Sequence, residues 1–192
     1  MTRTAACLGR RARCGKALPR LLVFTDPVRT PDVEALAAIL GPGQALVYRA
    51  YGAPESEAVA RRLLRLARQR GFLLLIGADY RLAARIGAHG VHLPERLAHL
   101  APRARGQGRI VTAAAHSPRA LRAKGLDAVV LSAIFPSASP SAGPPIGALK
   151  LALLVRRDAS PVYALGGVTA HTVPALLRTG IIGLAGISAF RT

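Results

Sequence analysis

Gly166-Gly167-Val168-Thr169 is the stretch of this sequence best suited to holding an anion. Glycine lets a backbone approach a ligand closely, and Thr169 opens a predicted helix whose N-terminus favours negative charge. Ser188, on the next apolar run, adds a hydroxyl or an amide. Glycine pairs also occur at strand-to-helix turns for packing alone, so a bland reading stands beside the phosphate one. His89 and His92 form an H-x-x-H pair. Three residues apart on a strand, they point to opposite faces, which argues against a shared metal. Carboxylates are scarce. With only nine Asp and Glu, a site that gathers several of them around Mg²⁺ has few candidates.

The scaffold for these residues is bounded by size and composition. The 192 residues fit one domain, and 51% apolar content with 4% aromatics argues for an aliphatic core rather than disorder. Lys and Arg number 27, which leaves a net charge of +18. A field of that sign attracts phosphates, nucleic acid or anionic surfaces without choosing among them. Residues 1–20 hold six of the basic residues and no acid, and they lack both apolar periodicity and a signal-peptide core. They read as a basic, disordered tail, followed by a domain over 21–192. Cys7 and Cys14 sit in that tail without a nearby His and read as idle, reduced thiols of a cytoplasmic protein. The apolar runs, such as Phe72–Ile76, are too short to cross a membrane.

From residue 21 onward short apolar runs alternate with Ala/Leu/Arg stretches of helical period. Strands are predicted over Leu21–Asp26, Ala45–Arg49, Phe72–Gly77, Gly90–Leu93, Arg109–Ala114, Ala128–Ile134, Val162–Gly167 and Gly183–Ser188. Helices are predicted over Thr30–Leu40, Glu55–Arg70, Asp79–Ile86, Glu95–Arg103, Ser117–Lys124, Gly147–Arg156 and Thr169–Arg178. In the second of these, Val59, Leu63, Leu66 and Ala67 form an apolar stripe, while Arg61, Arg62, Arg65 and Arg68 face water. Buried strands with crossover helices imply a parallel sheet, and eight of them favour a single (β/α)8 TIM barrel. The sequence ends four residues after the last run, so the eighth helix is expected to be missing or truncated. The seam this leaves suggests cover by the N-terminal segment or by a second copy in a homo-oligomer.

A barrel of this kind carries its site at the C-terminal ends of its strands, with phosphate commonly held after strands seven and eight. Those ends bring together Arg49, Gly77-Ala78-Asp79, Glu95, His116, Ser137, Ser139, Gly166, Gly167, Ile187 and Ser188.

The same residues carry a resemblance. Leu-Leu-Val-Phe-Thr-Asp (21–26), Gly-Ala-His-Gly-Val-His-Leu (87–93), Ala-His-Ser (115–117), Ile-Phe-Pro-Ser-Ala-Ser (134–139), Ala-Leu-Gly-Gly-Val (164–168) and Gly-Ile-Ser-Ala-Phe (186–190) stand in the order and spacing of the thiamine phosphate synthase/TenI family. The resemblance implies a small TIM barrel that binds a thiazole phosphate or a similar phosphorylated heterocycle. Synthases of the family join it to a pyrimidine methyl diphosphate and release diphosphate with Mg²⁺, whereas the TenI branch includes thiazole tautomerases.

Carried over residue by residue, the resemblance assigns phosphate to Gly166, Gly167, Ile187 and Ser188, and the paired hydroxyls to Ser137 and Ser139. Arg49 falls on the synthase arginine. His116 falls on the histidine proposed for proton transfer in the TenI branch, and imidazole titrates near neutrality. On the diphosphate side the pattern departs. The Asn-Asp pair reads Gly77-Ala78, the second Mg²⁺ carboxylate falls on Leu97, and the lysine after the hydroxyls is Pro140. Mg²⁺ is therefore expected only if Asp79 or Glu95 substitutes, with a tautomerase or a non-catalytic ligand-binding regulator as the alternative to coupling. A nucleic-acid-binding protein is the rival from another class. Four Tyr and four Phe, none interleaved with arginines, give it little to stack bases on.

Overall fold

A computed structural model describes residues 17–50, 52–106, 108–117, 120–137, 143–157 and 160–187. The strands are β1 (Leu21–Phe24), β2 (Gln44–Tyr48), β3 (Leu73–Gly77), β4 (Gly90–Leu93), β5 (Ile110–Ala115), β6 (Ala128–Leu131), β7 (Val162–Ala164) and β8 (Gly183–Gly186). Each pairs in parallel with its sequence neighbour, and β8 returns to β1 with Gly186 opposite Val23, closing the barrel. The expected (β/α)8 architecture is present. The place of an eighth helix, Cys7, Cys14 and the rest of residues 1–16 lie outside the described residues.

Alternation along the strands builds two apolar layers. Leu22, Val47, Leu75, Ile110, Val130 and Tyr163 fill the barrel itself. Val23, Leu46, Leu74, Val91, Val111 and Val129 face outward onto the helices. Leu18 closes the floor from inside, and the buried Tyr163 hydroxyl donates to the Pro19 carbonyl at 2.5 Å.

The helices are α1 (Val33–Ala38), α2 (Ser56–Arg70), α3 (Tyr80–Ile86), α4 (Ala101–Arg105) and α5 (Gly147–Arg157). The α2 helix buries Ala60, Leu63, Leu64 and Ala67. Each buried leucine contributes about 1.5–3 kcal/mol by removal from water. Its arginines are solvated or paired: Arg61 with Glu57, and Arg62 with Glu34.

Four predicted helices are shorter than their sequence period suggested, and prolines explain two of them. Thr30–Leu40 is helical only over Val33–Ala38, because Asp32 rather than Thr30 caps it, its side chain accepting the Glu34 and Ala35 N–H groups. Glu95–Arg103 divides into a 3₁₀ turn at Glu95–Leu100 and then α4, with Pro102 in the first turn of α4. Thr169–Arg178 keeps only a 3₁₀ turn at Val173–Leu176, with Pro174 in its first turn. Proline tolerates a helix start but removes a hydrogen bond from its interior. Ser117–Lys124 retains a 3₁₀ turn at Ala120–Arg122 that buries only Leu121, too little apolar surface to offset helix nucleation.

Candidate functional site

A cavity of about 1130 Å³ opens where the C-terminal ends of the strands converge. Arg49, His116, Ser137, Gly166, Gly167 and Ile187, all expected from the sequence, line it together. Ser139 and Ser188 lie outside the described residues.

One wall is the turn after β7. Gly166 and Gly167 both have positive φ, 93° and 63°. At Gly167 a β-carbon would collide with the Pro136 carbonyl and the Phe135 side chain, so only glycine fits where the β6 and β7 loops touch. Among the described residues, the N–H groups of Gly167 and Val168 have no acceptor. Beside them Thr172 accepts the Thr169 N–H at 2.9 Å and donates to the Gly167 carbonyl at 3.1 Å, fixing the turn. Backbone donors at a glycine turn can receive an oxyanion.

His116 projects from the loop after β5. Its Nδ1 lies 3.1 Å from the Ser132 hydroxyl. Its backbone N–H donates to Glu95 Oε2 at 2.6 Å, and the Ser117 hydroxyl donates to Glu95 Oε1 at 2.8 Å. Glu95 thus clamps the β5 loop to the β4 loop. Such a ring, held by backbone on one side and a hydroxyl on the other, can move a proton at the cavity surface.

Deeper in the barrel, His92 is buried beside Thr112, with Nδ1 and Oγ1 3.0 Å apart. The Thr112 hydroxyl donates to the Val91 carbonyl at 3.4 Å, which leaves its oxygen to accept from the imidazole Nδ1–H, and His92 lines the cavity. Burial, reinforced by the charges of Arg49 and His116, pushes this imidazole down to about 3. It is neutral at physiological pH. His89 accepts the Leu74 N–H at 3.0 Å and does not line the cavity, so the H-x-x-H residues act separately.

The opposite wall is cationic. Arg49 Nε donates to the Thr25 carbonyl at 2.7 Å, its N–H donates to the Thr25 hydroxyl at 2.9 Å, and its Nη2 reaches Asp26 at 3.5 Å. Its guanidinium lies over the Phe24 ring, 5.6 Å from the centroid, and Phe24 in turn meets His92 edge to face at 4.8 Å. Asp26 is held below the usual carboxylate range, first by the Arg29 backbone N–H, against a smaller opposing effect of burial. Arg29 and Arg96 line the same cavity.

Mg²⁺ does not fit the residues present. It requires oxygen ligands. Ala78 and Leu97, at the expected ligand positions, supply none from their side chains. Asp79 is the only carboxylate lining the cavity among the described residues, and its Oδ1 caps α3 by accepting the Leu82 N–H at 2.8 Å. Both Glu95 oxygens are committed to the β5 loop. Among the described residues no group of three His, Cys, Asp or Glu could hold a metal ion. No helix there is long and apolar enough to cross a membrane.

Fold and cavity together define a parallel (β/α)8 barrel with a ligand-sized mouth at the strand ends, apolar in most of its lining with a few polar and cationic groups. The chain belongs to the thiamine monophosphate synthase family, whose profile matches residues 21–190. It is 37% identical to the thiamine-phosphate synthase of Anaeromyxobacter dehalogenans, over 94% of this chain and 82% of that one. It is 33% identical to the corresponding enzyme of Thioalkalivibrio sulfidiphilus, over 91% and 88% of the two chains. Among solved structures, thiamine phosphate pyrophosphorylase from Pyrococcus furiosus superposes with a TM-score of 0.71 at 28% identity, covering 88% of this chain and 85% of that one.

Four cavity residues were missed as site residues by sequence reasoning. His92 and Ser132 were findable, because each stands two residues after an inward-facing position, Gly90 and Val130. Arg29 lies in an irregular loop and Arg96 in a 3₁₀ turn, where no periodicity announces which way a side chain faces.

Proposed function

We propose that the barrel mouth binds a thiazole phosphate and that the protein works in thiamine biosynthesis as a thiamine-phosphate synthase-type transferase in the cytoplasm. The observation that carries this reading is the Gly166–Gly167 turn: two positive-φ glycines, one pressed against the β6 loop, lining a cavity of about 1130 Å³. In this reading Gly166, Gly167, Ile187 and Ser188 receive the phosphate through backbone and hydroxyl groups. Ser137 and Ser139 orient the heterocycle, and Arg49 meets a second anion or the pyrimidine. His116 moves protons. The family names of the relatives and the match over residues 21–190 support the reaction class.

A second reading, thiazole tautomerisation, is favoured by one specific observation. His116 has a hydroxyl partner 3.1 Å away, while the described residues of the mouth hold no carboxylate set for Mg²⁺. Incubation with the thiazole phosphate and the pyrimidine methyl diphosphate, with and without Mg²⁺, separates the two. Formation of thiamine phosphate supports the transferase. If none forms, and thiazole phosphate still raises the melting temperature unless Gly167 is changed to Asp, the transferase reading falls and the tautomerase or ligand-binding regulator reading takes its place.

A further inference from the structure

The resemblance calls for Asn-Asp after β3, and the geometry shows what stands there instead. At Gly77 a β-carbon would approach Arg49 Cγ to 3.0 Å and the Tyr48 carbonyl to 3.1 Å. The Arg49 side chain therefore occupies the space that any side chain at position 77 would enter. Ala78 follows with φ 63° and donates its N–H to the His92 carbonyl at 2.8 Å, tying this loop to β4 with no side-chain oxygen offered to the cavity. Where the family pattern has side-chain oxygens, this loop offers none, and the aliphatic stem of Arg49 packs against it.

Two more guanidiniums line the same cavity. Arg29 comes from the loop after β1, and Arg96 comes from the 3₁₀ turn after β4. Among the described residues neither makes a side-chain hydrogen bond or an ion pair. Among the described residues two carboxylates face these three arginines. Asp79 is in the lining, and its Oδ1 caps α3. Asp26 stands beside the lining, reaches Arg49 at 3.5 Å and feels the charge of Arg29, so the wall keeps a net positive charge. A guanidinium presents several N–H donors in a plane and binds phosphoryl oxygens in bidentate fashion. Unlike Mg²⁺, it needs no ligands from the protein to remain in place.

We propose that the β1–β4 side of the mouth binds a diphosphate-type oxyanion through Arg29, Arg49 and Arg96, without a divalent cation. Arg49 is held rigidly by Thr25 and Phe24, while Arg29 and Arg96 close on the anion from two loops. If the transferase reading holds, this wall receives the diphosphate that leaves when the thiazole nitrogen's lone pair bonds to the pyrimidine methylene and the methylene C–O bond breaks, its electron pair staying on the diphosphate oxygen. In that respect the inference rests on that reading, but anion binding by the wall is testable without it.

The test is calorimetric titration of the full chain with inorganic diphosphate, in EDTA and in excess Mg²⁺. Binding in EDTA, no tighter with Mg²⁺, is expected. Arg29→Ala and Arg96→Ala should each weaken it about tenfold, the loss of one charge-assisted contact. Arg68→Ala, on the solvated face of α2, should leave it unchanged. Binding that requires Mg²⁺, or that resists both cavity variants, or that falls equally with Arg68→Ala, overturns the proposal. A parallel titration with thiazole phosphate keeps the two readings apart. Loss of that binding alone overturns the transferase reading and leaves the arginine wall standing.

Discussion

The backbone N–H of His116 donates to the carboxylate of Glu95 across 2.6 Å, and the neighbouring Ser117 hydroxyl uses the other oxygen of the same group. The loop after β4 thus sets the height of the loop after β5, and with it the histidine at the cavity edge. A carboxylate saturated in this way is a structural clamp. Substitution Glu95→Ala should cost about 1–3 kcal/mol, since two charge-assisted hydrogen bonds in a partly solvated site are lost. Urea unfolding measures that cost, and turnover should fall with it because the ring is no longer held. Glu95→Gln, which keeps an acceptor, should recover most of both.

Gly167 answers to a different force. Its φ of 63° and the contact with the β6 loop leave no room for a β-carbon. Gly167→Ala should destabilise the fold by about 1–3 kcal/mol through backbone strain and displacement of Phe135 and Pro136. Ligand-induced stabilisation by thiazole phosphate should drop further than the change in fold stability explains. Differential scanning fluorimetry with and without the ligand reads both quantities on one sample.

The eight strands were legible because aliphatic runs such as Leu21–Phe24 and Leu73–Gly77 are buried on both faces and bounded by turn residues. The glycine turn was legible for a related reason: Gly166-Gly167 has a backbone meaning that survives without coordinates. Helical period failed over Glu95–Arg103 and Thr169–Arg178 because Pro102 and Pro174 outweigh an apolar pattern of a few residues. Of the arginine wall only Arg49 was legible, as a strand-end residue. Arg29 and Arg96 come from an irregular loop and a 3₁₀ turn, and in a chain this rich in Arg nothing local separates such a cavity guanidinium from a solvated one such as Arg65. Much of the +18 charge is of the solvated kind, and the wall is a small, placed fraction of it.

Ser132 is a positioning residue for His116, through the 3.1 Å contact with Nδ1. Ser132→Ala should lower kcat several-fold with little change in KM, because the ring still fits but loses its fixed orientation and tautomer. Ser132→Thr, which keeps the hydroxyl, should rescue kcat. A role limited to packing would lower stability and leave the effects on kcat and KM unselective.

His92 makes the fold sensitive to mild acid. In the unfolded chain its imidazole titrates near 6.5, whereas burial and the nearby charges of Arg49 and His116 lower it to about 3 in the native state. Between those values the unfolded chain binds a proton that the native barrel refuses. Stability is therefore whole above pH 6.5 and falls as the pH drops through the window below it, by about 1.4 kcal/mol per pH unit from this group alone. Carboxylates add their own effects nearer pH 4, so the interval from about 6.5 to 5 isolates the histidine. His92→Gln keeps a side chain able to hydrogen-bond Thr112 but cannot take up the proton. Unfolding free energies measured at several pH values across that interval should slope steeply for the native protein and be nearly flat for the variant. Equal slopes would mean that the barrel admits enough water or counter-charge to protonate His92 without unfolding.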